Sequence, residues 1–213
     1  MQQILVYADS LTWGIIPNTR HRLPFEGRWP GVMERALLDA GANVRVIEDC
    51  LNGRRTVFDD PYKPGRNGLQ GLEQRIEINS PLALVVLMLG TNDFQAMHTN
   101  NAWLSAQGTA ALVDAIRRAP IEPGMPVPAS LIVAPPAPQD GKGAMAGKFA
   151  GARDKSIGLT AALQEVATLR NCHFYDAGQV TGTSAVDGVH LDAEQHMVLG
   201  KAVAGAVLPL LTK

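Results

Sequence analysis

The chain has few cysteines, almost no net charge and no long apolar segment. Cys50 and Cys172 are its two cysteines, too few for a disulfide framework. Its 19 basic and 20 acidic side chains give a formal net charge of -1, which favours neither nucleic acid nor an anionic membrane as a partner. The longest apolar run, residues 82–89, is far shorter than the roughly 20 residues that span a bilayer. The first residues lack the basic and apolar regions of a signal peptide, so we expect a cytoplasmic protein.

Motifs that would indicate a cofactor are also missing. Neither Gly-x-Gly-x-x-Gly nor a P-loop occurs, which counts against a nucleotide site. No spacing among the histidines, cysteines and carboxylates suggests a metal site. We therefore expect no cofactor and no metal. The sequence shows no internal repeat and no linker, and we expect a single domain over residues 1–213.

What the sequence does contain is a regular alternation of apolar and amphipathic segments. Apolar or alternating patterns predict five strands, at residues 4–7, 43–47, 82–89, 129–134 and 172–175. Helical spacing predicts helices at residues 29–40, 69–78, 103–118 and 154–170, and a last helix that begins near Asp192. This alternation predicts an α/β fold with three α/β/α layers around a doubly wound, five-stranded parallel sheet, whose second strand lies near an edge.

Three segments between these elements predict loops, at residues 14–28, 59–68 and 135–151. The last of them follows a buried strand and is rich in proline, alanine and glycine. An insertion of this length is typical of a functional lid, an interface arm or a locally disordered segment.

Four polar clusters stand at the ends of predicted strands or just before a helix. They are Asp9-Ser10, Asn52-Gly53, Gly90-Thr91-Asn92-Asp93 and Asp187-Gly188-Val189-His190. Because parallel strands share one direction, their carboxyl ends converge at one edge of the sheet. We therefore expect the four clusters to meet there.

Together these clusters contain what acyl transfer through a serine requires. A serine hydroxyl is too weak an acid to attack a carbonyl unaided, so Ser10 needs a base, and His190 is the candidate. Asp187, three residues earlier, can orient the imidazole and stabilise its charged form. The backbone N–H groups of Ser10 and Gly53 and the amide of Asn92 are candidate donors to the oxyanion.

Each of these residues also has a plainer interpretation. Ser10 could cap the element that follows its strand, Gly53 could be a turn residue, and Asn92 could cap a loop. The remaining histidines lack such partners and are interpreted as surface or core residues; they are His21, His98, His173 and His196.

The four clusters, in this order, resemble the four sequence blocks of the SGNH (GDSL) hydrolases. The longer strings Asp9-Ser10-Leu11-Thr12-Trp13-Gly14, Val46-Ile47-Glu48 and Arg55-Thr56 followed by Asp59-Asp60-Pro61 are similar to the bacterial aryl esterase, acyltransferase and perhydrolase branch. The resemblance implies a flavodoxin-like SGNH hydrolase fold, a triad of Ser10, Asp187 and His190, and an oxyanion hole of Ser10, Gly53 and Asn92. It also implies short-chain ester substrates, acyl transfer to alcohols or peroxide, and a homo-oligomer, often an octamer. Ala8 departs from the family, which usually has glycine there, and we expect this to tune activity rather than abolish it.

Residues close to the triad are candidates for binding the substrate. Leu11, Trp13 and Val189 are assigned this role, and Ile15 and Ile16 could extend the same apolar wall. Packing of the first loop against the body explains the apolar residues after Ser10 equally well. The residues therefore predict a serine hydrolase, and the resemblance implies an esterase for small acetyl esters of aryl, alkyl or sugar alcohols. The alternatives are a thioesterase or lysophospholipase of the same superfamily and a catalytically silent binding module.

Overall fold

The computed structural model describes residues 1–19 and 21–211, and they form one five-stranded parallel sheet flanked by helices. The strands are β1 (Gln2–Ala8), β2 (Val44–Cys50), β3 (Leu84–Met88), β4 (Ala129–Ala134) and β5 (His173–Asp176). They lie in the order β2-β1-β3-β4-β5, and every neighbouring pair is parallel. The predicted α/β class, the strand count and the edge position of the second strand are confirmed.

Seven α-helices are found within the described residues. They are α1 (Ser10–Trp13), α2 (Trp29–Asp39), α3 (Leu72–Asn79), α4 (Ala102–Arg118), α5 (Ala152–Lys155), α6 (Leu159–Leu169) and α7 (Ala193–Val207). Short 3-10 turns occur at Phe25–Gly27, Thr91–Phe94, Gly143–Met145, Ala177–Gln179 and Leu208–Leu210. The chain moves from β1 to β2 in one direction and then back across β1 to β3, so right-handed crossovers place α2 on one face and α3, α4 and α6 on the other. Helix α7 packs against α2 and completes the first face.

The reversal of strand order falls between β1 and β3, which are neighbours inside the sheet. Every residue of β3 is buried, as expected for a strand covered by helices on both faces. Ile4 pairs with Leu84 and Ala8 with Met88, so both strands end at the same level. The loops after them open at the topological switch point, where open α/β sheets bind their ligands.

The predicted helix over residues 154–170 is wrong as a single element. The structure has two helices there, α5 and α6, separated by residues 156–158. Gly158 adopts a left-handed conformation with φ of 88° and precedes the first residue of α6, so the helical path is broken at that point. The predicted start of the last helix is confirmed, since Asp192 and Gln195 form a reciprocal capping box.

Three further observations concern the described part of the chain. Over residues 1–19 and 21–211, no helix is both long and apolar enough to cross a membrane. In the same ranges no group of three or more His, Cys, Asp or Glu side chains is arranged to hold a metal ion. Cys50 and Cys172 are both free thiols.

Candidate active site

Ser10 is the first residue of α1 and lies two residues beyond the end of β1. The capping role at this helix belongs to Asp9, whose Oδ1 accepts the Leu11 N–H at 2.9 Å. Gly14, with φ of 84°, ends the helix after a single turn. The Ser10 hydroxyl is therefore not used as a cap and is available for another partner.

That partner is His190, which lies in the loop between β5 and α7. Its Nε2 is 3.2 Å from Ser10 Oγ, and its Nδ1 is 2.7 Å from Asp187 Oδ2. A carboxylate can only accept, so Nδ1 carries the proton, and Nε2 of the neutral ring accepts from the Ser10 hydroxyl. Three residues separated by up to 180 positions in sequence thus form one hydrogen-bonded chain. This is the arrangement that a serine nucleophile, its base and an orienting acid require.

Asp187 is held by its own turn as well as by the imidazole. Its Oδ1 accepts the backbone N–H groups of Val189 and His190, each at 2.9 Å. Burial alone would raise the pKa of Asp187, but the bonds from the His190 ring and from these N–H groups more than offset it and leave the pKa below its usual range. Asp187 therefore stays ionised and can stabilise a positive charge on the ring.

Ser10 and Gly53, whose backbone N–H groups are the candidate oxyanion donors, both line one cavity. Gly53 lies in a turn closed by the Arg54 N–H to the Leu51 carbonyl at 2.9 Å, and its φ of 85° favours glycine. Among the described residues, neither the Ser10 N–H nor the Gly53 N–H has a protein acceptor. Buried N–H groups without partners are rare, so these two are suited to receive a substrate oxygen.

Asn92 lies in the 3-10 turn that follows β3 and also lines the cavity. Its Nδ2 donates to Asp9 Oδ2 at 2.9 Å and to the Arg54 carbonyl at 3.1 Å, and its Oδ1 accepts from Gln95 Nε2 at 2.8 Å. Both amide hydrogens therefore have partners before a substrate arrives. To bind an oxyanion in the cavity, Asn92 has to redirect one of these two hydrogens. The bond to the Arg54 carbonyl is the longer of the two and is the one more readily exchanged.

The cavity at Ser10 is small, with a volume of about 50 Å³. Pockets for drug-sized ligands are typically about 300–1,000 Å³, so this one has room for a short acyl group only. The lining comes from five segments of the chain and comprises Ser10, Ile15, Asn52, Gly53, Lys63, Asn92, Met145, Lys148, Phe149 and His190. All the predicted triad and oxyanion residues except the buried Asp187 are on this list.

The predicted substrate-binding residues are placed elsewhere. Leu11 is 1% exposed and Val189 is 0% exposed, and both belong to the hydrophobic core, so they do not line the cavity. Trp13 is half-buried, and its ring is covered by the Arg22 guanidinium at 4.6 Å. Of the apolar residues named after Ser10, Ile15 alone lines the cavity.

Met145, Phe149, Lys63 and Lys148 line the cavity but carry no motif in the sequence. They come from the two long loops at residues 59–68 and 135–151. Loop length pointed to both segments, and the resemblance at Asp59-Asp60-Pro61 pointed to the first of them. The second loop is not a detached lid, because Phe149 is buried in the core and the Ala96 N–H donates to the Lys148 carbonyl at 2.8 Å.

Ala8 fits its position without strain. It is fully buried as the last residue of β1, beside Met88 and Cys50, and its φ is not in the left-handed region. Its carbonyl accepts from the Leu51 N–H and from Arg54 Nη1, both at 3.0 Å. Nothing in the backbone here requires glycine.

The whole chain is similar to known esterases. The model of the GDSL-like lipase/acylhydrolase family matches residues 9–198. An inhibitor-bound aryl esterase of M. smegmatis is 33% identical, with a TM-score of 0.93 over 99% of this chain and 100% of that one. A carbohydrate acetylesterase from Sinorhizobium meliloti is 34% identical, with a TM-score of 0.92 over 99% of this chain and 100% of that one. The arylesterase of Vibrio mimicus is 34% identical over 92 residues, and this match spans 43% of this chain and 38% of that curated relative.

Proposed function

The chain belongs to the GDSL-like lipase/acylhydrolase family, and we propose that it is a serine esterase that hydrolyses short-chain esters, acetyl esters foremost. The observation that carries this proposal is the hydrogen-bonded chain from Ser10 through His190 to Asp187 at the wall of a small cavity. The volume of about 50 Å³ favours an acetyl group over longer acyl chains.

The proposed reaction has two half-reactions. Ser10 Oγ forms a bond to the ester carbonyl carbon, its proton moves to His190 Nε2, and the carbonyl oxygen becomes an oxyanion. The N–H groups of Ser10 and Gly53 and the Asn92 amide stabilise that oxyanion. As the carbonyl re-forms, the ester C–O bond breaks and the alcohol leaves with the proton from His190. Water then repeats the sequence on the acyl-enzyme and releases the acid.

A chain-length series tests this proposal. Wild type should hydrolyse 4-nitrophenyl acetate faster than the butyrate, and the butyrate faster than the octanoate. Ser10→Ala should lower kcat about 1,000-fold or more, because the nucleophile is lost. Ser130→Ala is the matched control, since Ser130 is also buried at a parallel strand but its hydroxyl has no partner within the described residues.

The outcomes of this series separate the alternatives. Inactivity of wild type on all three esters would remove the esterase proposal and favour a silent binding module. A preference for octanoate would keep the serine mechanism but favour a thioesterase or lysophospholipase.

We also propose that the acyl-enzyme can be intercepted by alcohols and that the chain assembles as a homo-oligomer. Ile15, Met145 and Phe149 make part of the cavity wall apolar, which disfavours water relative to an organic acceptor. Trp103, Ile157 and Tyr62 are large apolar side chains that are more than half exposed, and covering them with a second copy would remove apolar surface from water. Product analysis in the presence of benzyl alcohol tests the first proposal, and light scattering tests the second. Acetic acid as the sole acyl product, or a monomeric mass, would contradict them.

A further inference from the structure

Two donors of the oxyanion hole come from different segments of the chain. Gly53 belongs to the loop between β2 and α3, and Asn92 belongs to the 3-10 turn that follows β3. One contact between the two segments is the bond from Asn92 Nδ2 to the Arg54 carbonyl at 3.1 Å. This is also the bond that an oxyanion most readily displaces. The donors therefore stay in register during the reaction only if a second link holds the two segments together.

Asp93, the neighbour of Asn92 in sequence, supplies such a link. Its side chain is fully buried, its Oδ1 accepts the Thr56 backbone N–H at 3.2 Å, and its Oδ2 accepts the Thr56 hydroxyl at 2.7 Å. Ser105 of α4 donates its hydroxyl to the same Oδ2, also at 2.7 Å. One carboxyl group thus joins the loop of Gly53, the turn of Asn92 and a helix.

Arg55 adds a buried charge to this junction. Its Nε lies 3.3 Å from Asp93 Oδ1, and the two side chains are 3% and 0% exposed. The guanidinium also donates to the Asp59 carbonyl at 2.6 Å and to Asn100 Oδ1 at 2.5 Å. Apolar residues in place of a buried ion pair are often as stable or more stable, so stability alone does not explain this pair. Its position in the loop that carries an oxyanion donor indicates a role at the site instead.

Glycines allow the three segments to approach each other closely. A Cβ on Gly108 of α4 would lie 2.2 Å from Thr56 Oγ1, and a Cβ on Gly90 would lie 3.0 Å from Ser105 Oγ. Interiors packed at this density transmit small displacements to their neighbours. A shift of the Asp93 carboxyl group should therefore move the loop and the turn relative to each other.

We propose that Asp93 is a positioning residue of the oxyanion hole, which keeps Gly53 and Asn92 in register in the transition state. At that point Asn92 has redirected a hydrogen from the Arg54 carbonyl to the oxyanion, and the bonds of Asp93 still join the two segments. The inference rests on the proposed function, because the oxyanion is that of ester hydrolysis. Asp93 does not line the cavity, so its effect falls on the transition state and not on binding of the ester.

Inhibition by methylboronic acid tests the proposal, because the adduct depends on the oxyanion hole as the transition state does. Ser10 Oγ forms a bond to boron, the serine proton moves to His190, and the adduct is a tetrahedral anion that resembles the intermediate of an acetyl ester. Asp93→Asn should lower kcat for 4-nitrophenyl acetate about tenfold, leave KM within about twofold and raise the Ki of methylboronic acid about tenfold. A smaller fraction of folded enzyme would lower kcat but leave Ki unchanged, so Ki distinguishes positioning from folding.

Two substitutions of Thr56 repeat the test without removing the buried charge. Thr56→Ser keeps the hydroxyl that donates to Asp93 and Thr56→Ala removes it, while both lack the same methyl group. Thr56→Ala should lower kcat and raise Ki about fivefold, and Thr56→Ser should stay within about twofold of wild type in both. These two variants carry the test if Asp93→Asn does not fold. Asp114→Asn, which removes a carboxylate of α4 that pairs with Arg170 away from the cavity, is the control and should change neither constant.

Failure of this inference differs from failure of the proposed function. If wild type hydrolyses 4-nitrophenyl acetate but Asp93→Asn and Thr56→Ala keep the wild-type Ki within about twofold, Asp93 does not position the oxyanion hole, and the esterase proposal stands. A raised KM with an unchanged kcat would overturn the inference in the same way. If wild type does not hydrolyse 4-nitrophenyl acetate, the proposed function fails, and this inference fails with it.

Discussion

At the scale of single residues, the feature that most affects the proposed chemistry is the immobilisation of Asn92. Its carbonyl oxygen accepts from Gln95, and its amide nitrogen donates to Asp9 and to the Arg54 carbonyl. Because Asp9 and Gln95 hold the amide group in place, only its bond to the Arg54 carbonyl has to be exchanged when charge develops on the substrate oxygen. Asp9 is therefore a positioning residue for the oxyanion hole, in addition to its role as the cap of α1.

Asp9→Asn should lower kcat about tenfold and leave KM within about twofold. Asp9 uses one oxygen to accept the Leu11 N–H and the other to accept from Asn92, and an asparagine has a single acceptor oxygen. If that oxygen keeps the cap of α1, the Asn92 amide meets a donor and loses its orientation. The effect then falls on the transition state rather than on ground-state binding. Steady-state kinetics with 4-nitrophenyl acetate measure both constants. Asp39→Asn, an exposed carboxyl of α2, is the control. A raised KM with an unchanged kcat would contradict a role of Asp9 in positioning Asn92.

At the scale of elements, the Asp187–His190 turn and the loop at residues 135–151 are fitted to each other. The Gln139 N–H donates to the Gly188 carbonyl at 2.8 Å, and the Lys142 N–H donates to the Asp187 carbonyl at 2.9 Å. Gly188 has φ of 78°, and a Cβ on it would lie 2.4 Å from the Asp140 carbonyl oxygen. The loop that supplies a wall of the cavity thus also fixes the acid and the base of the triad.

Gly188→Ala should lower kcat/KM about tenfold or more and reduce the free energy of unfolding by about 2 kcal/mol. The added methyl group combines a disfavoured backbone angle with a contact to a carbonyl oxygen that cannot move independently of the loop. Urea unfolding and esterase kinetics measure the two effects. Gly182→Ala is the control, because nothing lies within 4 Å of its Cβ position and its φ is not positive. Equal behaviour of the two variants would show that the turn and the loop are not coupled.

The elements also show where sequence patterns are sufficient. The sequence predicts a strand at residues 129–134, and the structure has β4 with these bounds. The polar clusters that follow β1 and β3 lie at the same edge of the sheet, because the direction of the two parallel strands decides where these clusters lie. The break at Gly158 was missed, since apolar spacing continues across it and says nothing about a left-handed φ.

The cavity wall could not be derived from the sequence for a related reason. Met145, Lys148 and Phe149 belong to a loop whose path depends on bonds to Ala96, Asp187 and Gly188, all distant in sequence. Leu11 and Val189 were expected to contact substrate because they are close to the triad in sequence. Their side chains point into the core instead, since neighbouring positions in a helix or a tight turn face different directions.

At the scale of the whole molecule, two buried groups give the stability opposite dependences on pH. Burial raises the pKa of Asp9 to about 6. The protonated form of Asp9 therefore contributes to the free energy of unfolding in full below 3.8, the pKa of the unfolded state, and this contribution is lost as pH rises through about 6. Burial, with the charges of Arg28 and His190, lowers the pKa of His196 to about 4. The neutral form of His196 therefore contributes to the free energy of unfolding in full above pH 6.5, the pKa of the unfolded state, and this contribution is lost as pH falls through about 4.

His196→Gln isolates the second of these contributions. His196 is fully buried in α7 and its Nδ1 accepts the Trp29 N–H at 3.2 Å, an interaction that a glutamine amide oxygen can replace. From pH 7 to pH 4 wild type should lose about 3 kcal/mol more unfolding free energy than the variant, because only wild type must keep a histidine neutral. Asp9 is present in both proteins, so its opposite contribution cancels in the comparison.

Urea unfolding at pH 7, 5.5 and 4 measures the difference, with His173→Gln as the control. His173 is exposed at the start of the edge strand β5, so its replacement should change stability by no more than about 0.5 kcal/mol at any of these pH values. Parallel stability curves for wild type and His196→Gln would mean that the buried histidine is protonated without cost. We expect protonation to be costly because His196 lies between α2 and α7. Its Nδ1 already accepts the Trp29 N–H, and nothing among the described residues accepts a hydrogen bond from Nε2.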